Sequence, residues 1–360
     1  MQETPTLALR RLINGYQASQ AIHVAATLGL ADLLRDGVMS AAAMAARVGA
    51  DADALHRLLR ALAALDVFRE GPDGSFALAP MGHALRADAP GSCHAWARLA
   101  GRPAGWAAWG ALDHSIRTGQ SAFRHLHGTD AWRWRAARPA EGTIFDRAMR
   151  EGSLRIGAAL PRIIDFTRFR HVVDVGGGDG SLLVALLRQC PAMRATLFDQ
   201  PDVVAGCDAA EVATRLRILD GDFFACVPEE GDAYILKFIL HDWGDEAALA
   251  ILRRCRAAMR PASRLLVIER LLAPANEGAE GKLSDLNMLV NLGGRERSPA
   301  AFEALIAEAG FDLLAVTRID PQVAVLEAAP APAESCLSLA GAASTGPSPC
   351  TPGSPDAPRR

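Results

Sequence analysis

The sequence predicts an α/β protein with a Rossmann-like, doubly wound parallel sheet, preceded by a mainly helical domain of winged-helix outline. Three observations carry that prediction. A β-branched run, His171-Val172-Val173-Asp174-Val175, ends in Gly176-Gly177-Gly178-Asp179-Gly180 and flows into the apolar run Leu182 to Leu187, which reads as buried strand, tight turn and helix. From there onward short apolar strands alternate with helical stretches, the pattern of a parallel sheet with helices on both faces. The N-terminal part instead runs helix, turn, helix and hairpin.

Taken in order, Leu7 to Leu34 carries apolar stripes (Leu9, Leu12, Ile13, Tyr16, Val24, Leu28, Leu30) at helical spacing, interrupted at Gly15 and Gly29. Ser40 and Asp51 precede two further helical stretches, Ala41 to Val48 and the segment with Leu55, Leu58, Leu59, Leu62 and Leu65, and are read as N-caps. Val67-Phe68 and Phe76-Ala77-Leu78 flank Gly71-Pro72-Asp73-Gly74 as a hairpin. DNA-reading winged helices share this outline and lay the second helix in the major groove. Between Ser40 and Arg86, however, five arginines are matched by five acids, and the second helix opens with Asp51 and Asp53. The net basic face that phosphates demand is missing, so the module is read as packing against another subunit.

Five of the six tryptophans (Trp96, Trp106, Trp109, Trp132, Trp134) lie between Pro90 and Pro139; they are read mainly as core and interface anchors, with an aromatic-substrate pocket as the alternative. A helix from Ile144 to Ile164 puts Phe145 and Met149 on one face. The expected strands of the second half are 171–176, Arg194 to Asp199, Leu216 to Leu219, Ala233 to Leu240 and Leu265 to Ile268, with helices over 245–259, 283–292 and 299–309. Phe311 to Ile319 and Val323 to Glu327, joined by a short Asp320-Pro321 turn, can pair only as an antiparallel hairpin. The expected divisions are 1–95 for the winged-helix-like domain, 96–165 for a helical linker and acceptor-pocket region, and 166–328 for the catalytic domain. The remainder, 329–360, is rich in Ala, Pro, Ser, Gly and Thr and reads as a disordered tail.

A chain of 360 residues, 50% hydrophobic and 22% charged, with a net charge of −3, has ordinary globular composition and no global attraction to nucleic acid or anionic membrane. It opens without a basic, apolar leader, and charges break its apolar runs well short of the roughly 20 residues of a membrane span. A cytoplasmic location is expected, with neither nucleic acid nor membrane as partner. Seven cysteines, none in Cys-x-x-Cys, argue against a metal cluster or disulfide framework.

In α/β sheets the ligand lies beyond the carboxyl ends of the strands. Those ends carry Asp174, Asp199, Asp222, His241 and Glu269. The glycine turn departs from the Gly-x-Gly-x-x-Gly of dinucleotide folds, because Ser181 stands where the third glycine belongs. Asp199 lies nineteen residues past Gly180, where a carboxylate can accept from both hydroxyls of a ribose; Asp222-Phe223 puts an acceptor and an aromatic face after the third strand. Each acid alone could cap a helix. Their recurrence at successive strand ends argues for a ligand.

The run Asp174-x-Gly176-x-Gly178-x-Gly180 resembles motif I of the class I S-adenosylmethionine (SAM) methyltransferases. Further matching pieces are Phe145 with Met149, Phe198-Asp199-x-Pro201, Gly221-Asp222-Phe223, Leu236-Lys237, His241-Asp242-Trp243, Ile268-Glu269 and Gly293-Gly294-Arg295-Glu296-Arg297. With them, residues 10–328 resemble the SAM-dependent O-methyltransferases of the plant caffeic-acid type and their bacterial relatives that act on anthracyclines and other aromatic natural products. The resemblance implies a seven-stranded methyltransferase core, a winged-helix dimerisation domain, a homodimer, and SAM as cofactor. It also implies that Asp174, Gly176, Gly178, Asp199, Asp222, Phe223, Lys237 and Trp243 hold the cofactor, with Asp174 toward its ammonium group. His241 would be general base, flanked by Glu269 and Glu296, and Phe145, Met149, Asn287, Met288 and Asn291 would lie near a hydroxylated small-molecule acceptor. No metal is required, since the cofactor already carries an activated methyl group. A phenol, with a reference pKa of about 10, needs such a base near neutrality. Two rival readings are a SAM-binding relative with drifted chemistry (decarboxylation or hydroxylation) and a DNA-binding regulator. Retention of His241, Glu269 and Glu296 favours methyl transfer over the first.

Overall fold

The computed structural model describes residues 4–332. They form two compact units: residues up to 107 together with 138–152, and residues 108–137 together with those from 153 onward. The long helix Pro139–Ala159 contributes to both.

In the first unit the expected N-terminal helix divides into Pro5–Ile13, Gly15–Thr27 and Leu30–Leu33. The first break falls at Asn14, and Gly15 opens the next helix. Ser40 and Asp51 are N-caps, accepting the N–H of Ala43 at 3.3 Å and of Ala54 at 2.8 Å, the bonds that satisfy otherwise orphaned first-turn donors. The hairpin Phe68–Glu70 and Ser75–Leu78 gains a third short strand, Met39–Ser40, which pairs with Ser75–Leu78. Leu30, Met44, Leu59, Leu62, Phe68 and Phe76 fill the core. Leu7, Leu9, Leu12, Ile13 and Tyr16 stay at least 53% exposed, an apolar stripe left uncovered among the described residues.

The second unit is built on one seven-stranded sheet. Its strands, in chain order, are β1 (His171–Val175), β2 (Arg194–Asp199), β3 (Leu216–Asp220), β4 (Ala233–Lys237), β5 (Arg264–Arg270), β6 (Phe311–Arg318) and β7 (Val323–Pro330). The spatial order is β3-β2-β1-β4-β5-β7-β6, parallel through the first five and antiparallel at the closing hairpin. Alternate residues face opposite sides of the sheet. Thus Val172, Ala195, Leu197, Ile235, Leu266 and Ile268 pack into one apolar cluster, and Val173, Val175, Tyr234, Leu236, Leu265 and Val267 into the other.

Two strand ends differ from the sequence reading. β4 stops at Lys237 because Phe238 takes φ 54°, and a short 3₁₀ turn, Leu240–Asp242, follows. β7 runs to Pro330, so the start of the expected tail belongs to the sheet; residues 333–360 lie outside the described ones. Among the described residues no helix is long and apolar enough to cross a membrane.

Candidate active site

The carboxyl ends of β1, β2 and β4 converge on the glycine turn. Gly176, Gly178 and Gly180 all have φ between 64° and 77°, a region that side-chain-bearing residues avoid. At Gly178 a Cβ would meet no atom within 4 Å, so the turn borders open space. Its N–H donates to Asp199 Oδ2 at 2.8 Å, and Asp199 Oδ1 accepts from Gln200 N–H at 2.7 Å. Burial raises the Asp199 pKa, against the lowering effect of these two N–H groups.

Asp174 is fully buried, and neither carboxyl oxygen has a hydrogen-bond partner. Burial pushes its pKa up to about 7, against the pull of Lys237. An unpaired buried carboxylate carries a desolvation cost of several kcal/mol, which a cationic donor from outside the chain would offset. Lys237 is itself buried and its pKa lowered by burial, opposed by the charges of Asp174, Glu269, Asp179 and Asp242. Phe223, Phe224 and Trp243 form an aromatic group, with Phe223 edge-on to Trp243 at 6.2 Å and Phe224 edge-on at 4.8 Å. Asp222 is exposed, and its Oδ1 accepts the Phe224 N–H at 2.8 Å. The orphaned Asp174, the open glycine turn, the Asp199 carboxylate and the aromatic group match in chemical type the ammonium, ribose and adenine of SAM.

The second cluster surrounds His241. Its Nδ1 lies 3.2 Å from Glu296 Oε1 and 3.7 Å from Glu269 Oε2, and its Nε2 lies 3.4 Å from Asp242 Oδ1. Phe238 stacks on the ring at 5.5 Å. Glu269 has a task invisible in the sequence: its Oε1 accepts the backbone N–H groups of Ile239, Leu240 and His241 at 3.1, 2.8 and 3.3 Å. It therefore holds the turn that carries His241, whereas Glu296 holds the ring. Ser284 Oγ–H donates to the same Glu296 oxygen at 2.7 Å, and the Glu296 N–H donates to Asp285 at 2.9 Å. Arg297, buried, binds the carbonyls of Leu240 and Trp243 at 2.7 and 2.9 Å and pairs with Asp245.

Burial alone would lower the His241 pKa, but the charges of Glu269 and Asp242 and the bond to Glu296 outweigh it and push it up to about 10. Burial pushes Glu269 up to about 7 and Asp242 up to about 6, each against the pull of His241. Glu296 goes the other way: burial would raise its pKa, yet the hydrogen bond and charge of His241, with Ser284 and Arg270, bring it below the usual value. His241, Glu269 and Glu296 each place one ligand-type atom within 4.8 Å of the others, but the Nδ1 to Oε1 separation is that of a hydrogen bond.

In Gly293-Gly294-Arg295-Glu296 the second glycine has a steric reason. A Cβ on Gly294 would stand 2.1 Å from the His241 carbonyl oxygen and 2.4 Å from the Asp242 carbonyl carbon, and the next residue's N–H donates to that same His241 oxygen at 2.8 Å. The two turns touch backbone to backbone. Gly294→Ala is expected to force them apart and to lower kcat by about tenfold or more, since ångström-scale misplacement of reacting groups costs up to about 10²-fold. Turnover at the wild-type level, with unchanged melting temperature, would contradict this reading.

Of the acceptor candidates, Asn287, Met288 and Asn291 share a face of helix Ala279–Asn291 with Ser284, at helical i, i+3, i+4 and i+7 spacing. Phe145 and Met149 belong to the other compact unit. Sequence reading missed Ser284, Asp285, Arg297 and Asp242 as supports; their spacing offered a signal only for Ser284, one turn before Met288.

Residues 109–312 match the O-methyltransferase domain family and residues 10–88 the O-methyltransferase dimerisation domain. The chain is 43% identical over 331 residues to the O-demethylpuromycin-O-methyltransferase of Streptomyces alboniger, covering 89% of this chain and 88% of that protein. The solved structure of human N-acetylserotonin methyltransferase in complex with SAM is 28% identical with a TM-score of 0.85, covering 92% of this chain and 99% of that one. An O-methyltransferase from neocarzinostatin biosynthesis, solved with SAM and 2-hydroxy-5-methyl naphthoic acid, is 35% identical with a TM-score of 0.72, covering 87% and 96%. The chain belongs to the O-methyltransferase family. It is a SAM-dependent O-methyltransferase, and the seven-stranded core with an N-terminal dimerisation domain is the family's architecture. Neither rival reading finds support in these likenesses.

Proposed function

We propose that this enzyme methylates a hydroxyl of a small aromatic natural product, in the manner of its antibiotic-pathway relatives, with His241 taking the hydroxyl proton. The observation that carries the assignment is the His241 imidazole held by Glu296 through Nδ1, which fixes the tautomer and leaves Nε2 to receive a proton.

When bound, SAM supplies an electrophilic methyl group on a positively charged sulfur. Asp174 would take its ammonium group and Asp199 its ribose hydroxyls, with Gly176, Gly178 and Lys237 shaping the cradle and Asp222, Phe223 and Trp243 around the adenine. His241 removes the acceptor's O–H proton as the oxygen gains the methyl group. The carboxylates add driving force: they raise the His241 pKa above that of an unperturbed imidazole, which would leave proton transfer from a reference phenol about 5 kcal/mol uphill. Phe145, Met149, Asn287, Met288 and Asn291 are proposed as acceptor contacts. A second copy of this chain is the proposed cover for the exposed stripe of Leu7, Leu9, Leu12, Ile13 and Tyr16, as a homodimer.

His241 acts only when uncharged, and its pKa is raised, so kcat/KM for the acceptor at saturating SAM should fall about tenfold per pH unit on the acid side and rise toward alkaline pH. The added positive charge of SAM disfavours the imidazolium, so the curve should flatten below the cofactor-free value of about 10. A flat profile from neutral to alkaline pH would count against His241 as the base.

A further inference from the structure

Helix Ala279–Asn291 carries a polar device beyond the roles above. Trp109 Nε1–H donates to Asn287 Oδ1 at 3.0 Å, and Asn291 Nδ2–H donates to that same oxygen at 2.8 Å and to the Asn287 carbonyl at 3.2 Å. An indole N–H can only donate, so the Asn287 amide has one permitted orientation, its oxygen toward Trp109. With that oxygen also facing Asn291, the second amide must present its NH₂ group. One indole thereby fixes the direction of both amides. The end of the helix is tied down as well, because Ser121 Oγ–H donates to the carbonyls of Val290 and Asn291 at 3.0 and 3.2 Å.

Two polar groups are left over: Asn287 Nδ2 as a donor and Asn291 Oδ1 as an acceptor. Both side chains are half-buried, and neither atom is among the sealed, unpartnered ones. We propose that Trp109 is a positioning residue for this donor and acceptor pair, and that the pair selects methyl acceptors bearing a neutral carboxamide-like group over those bearing a carboxylate. A carboxamide can accept from Asn287 through its carbonyl and donate to Asn291 through its N–H. A carboxylate offers acceptors only and sets an anionic oxygen against Asn291 Oδ1, leaving that oxygen unpaired, which is how polar sites reject near-isosteres. The inference rests on the reading of this helix face, shared with Ser284, as a wall of the acceptor site.

The test is calorimetric titration of the protein saturated with S-adenosylhomocysteine, using protocatechuate and its primary amide as probes. The wild type is expected to bind the amide about tenfold or more tightly than the carboxylate, the worth of one well-made hydrogen bond. Trp109→Phe frees the Asn287 amide to turn over and should bring the ratio close to unity. Asn291→Ala leaves the Trp109–Asn287 bond in place but removes the oxygen that turns the carboxylate away, and should likewise bring the ratio close to unity; it carries the test should the tryptophan variant fail to fold. Equal affinities in the wild type, a preference for the carboxylate, no binding of either probe, or a Trp109→Phe effect that weakens both probes equally would each overturn the proposal. Failure to bind S-adenosylhomocysteine at all would instead overturn the reading of the site itself.

Discussion

His241→Ala is expected to leave SAM binding intact and to cut turnover by about 10²- to 10⁴-fold, the usual worth of a positioned general base. The substitution removes the ring but spares the turn. The His241 N–H still reaches Glu269, its carbonyl still accepts from Arg295, and Arg297 still grips Leu240 and Trp243. The groups proposed for the cofactor, Asp174, Asp199 and Lys237, lie on β1, β2 and β4 outside that turn. Loss of the imidazolium leaves Glu269 and Glu296 without a shared positive neighbour; Glu269, already raised by burial, and Glu296, no longer held low by His241, answer by taking up protons. The variant should therefore fold, bind S-adenosylhomocysteine with wild-type affinity, and fail in single-turnover methyl transfer. Near-normal kcat would remove His241 as the base.

Asp199→Ala should produce the largest loss on the binding side, weakening S-adenosylhomocysteine by about 100-fold. The proposed bonds to ribose hydroxyls are charge-assisted and worth about 1.5–3 kcal/mol each, and the change also releases the Gly178 N–H, which Asp199 holds at 2.8 Å. The glycine turn would lose its anchor along with the ligand's acceptor. Asp199→Asn separates the two contributions, since an amide oxygen can still hold Gly178. It should fall between alanine and wild type in titration calorimetry. Unchanged affinity in the alanine variant would refute the ribose assignment.

What the sequence revealed and what it concealed divides along physical lines. His241, on the turn beyond β4, is legible through its motif, whereas residues proposed to act through their own side chains at strand ends, such as Asp174 and Asp199, are legible because strand periodicity places them and their chemistry is local. The N-caps Ser40 and Asp51 are legible for the same reason. Hidden were the groups that act through backbone. Glu269 was expected beside the imidazole, and it does approach Nδ1, but three backbone N–H groups of the His241 turn engage its other oxygen. Side-chain identity says nothing of such bonds. The end of β4 was misplaced because Phe238 favours strand by type; its φ of 54°, a strain of roughly 1–3 kcal/mol in a non-glycine residue, is held by tertiary bonds, its own N–H to Ile268 and the next three N–H groups to Glu269. The strand Met39–Ser40 is two residues long, too short for alternation to register. Trp109, 178 residues before its partner Asn287, could be read only as one more tryptophan in an aromatic-rich stretch.

The most direct test of the account is the protonation state of His241, read from imidazole ¹⁵N shifts in protein loaded with either SAM or S-adenosylhomocysteine. The two ligands differ by a methyl group and one positive charge. An imidazolium is expected near neutrality in the free and S-adenosylhomocysteine-loaded protein, as for a group raised to about 10, and a lower pKa with SAM, so that the neutral ring protonated at Nδ1 toward Glu296 appears at a lower pH than without the cofactor's charge. An imidazolium that persists in the SAM complex at a pH where the enzyme turns over rapidly would contradict it.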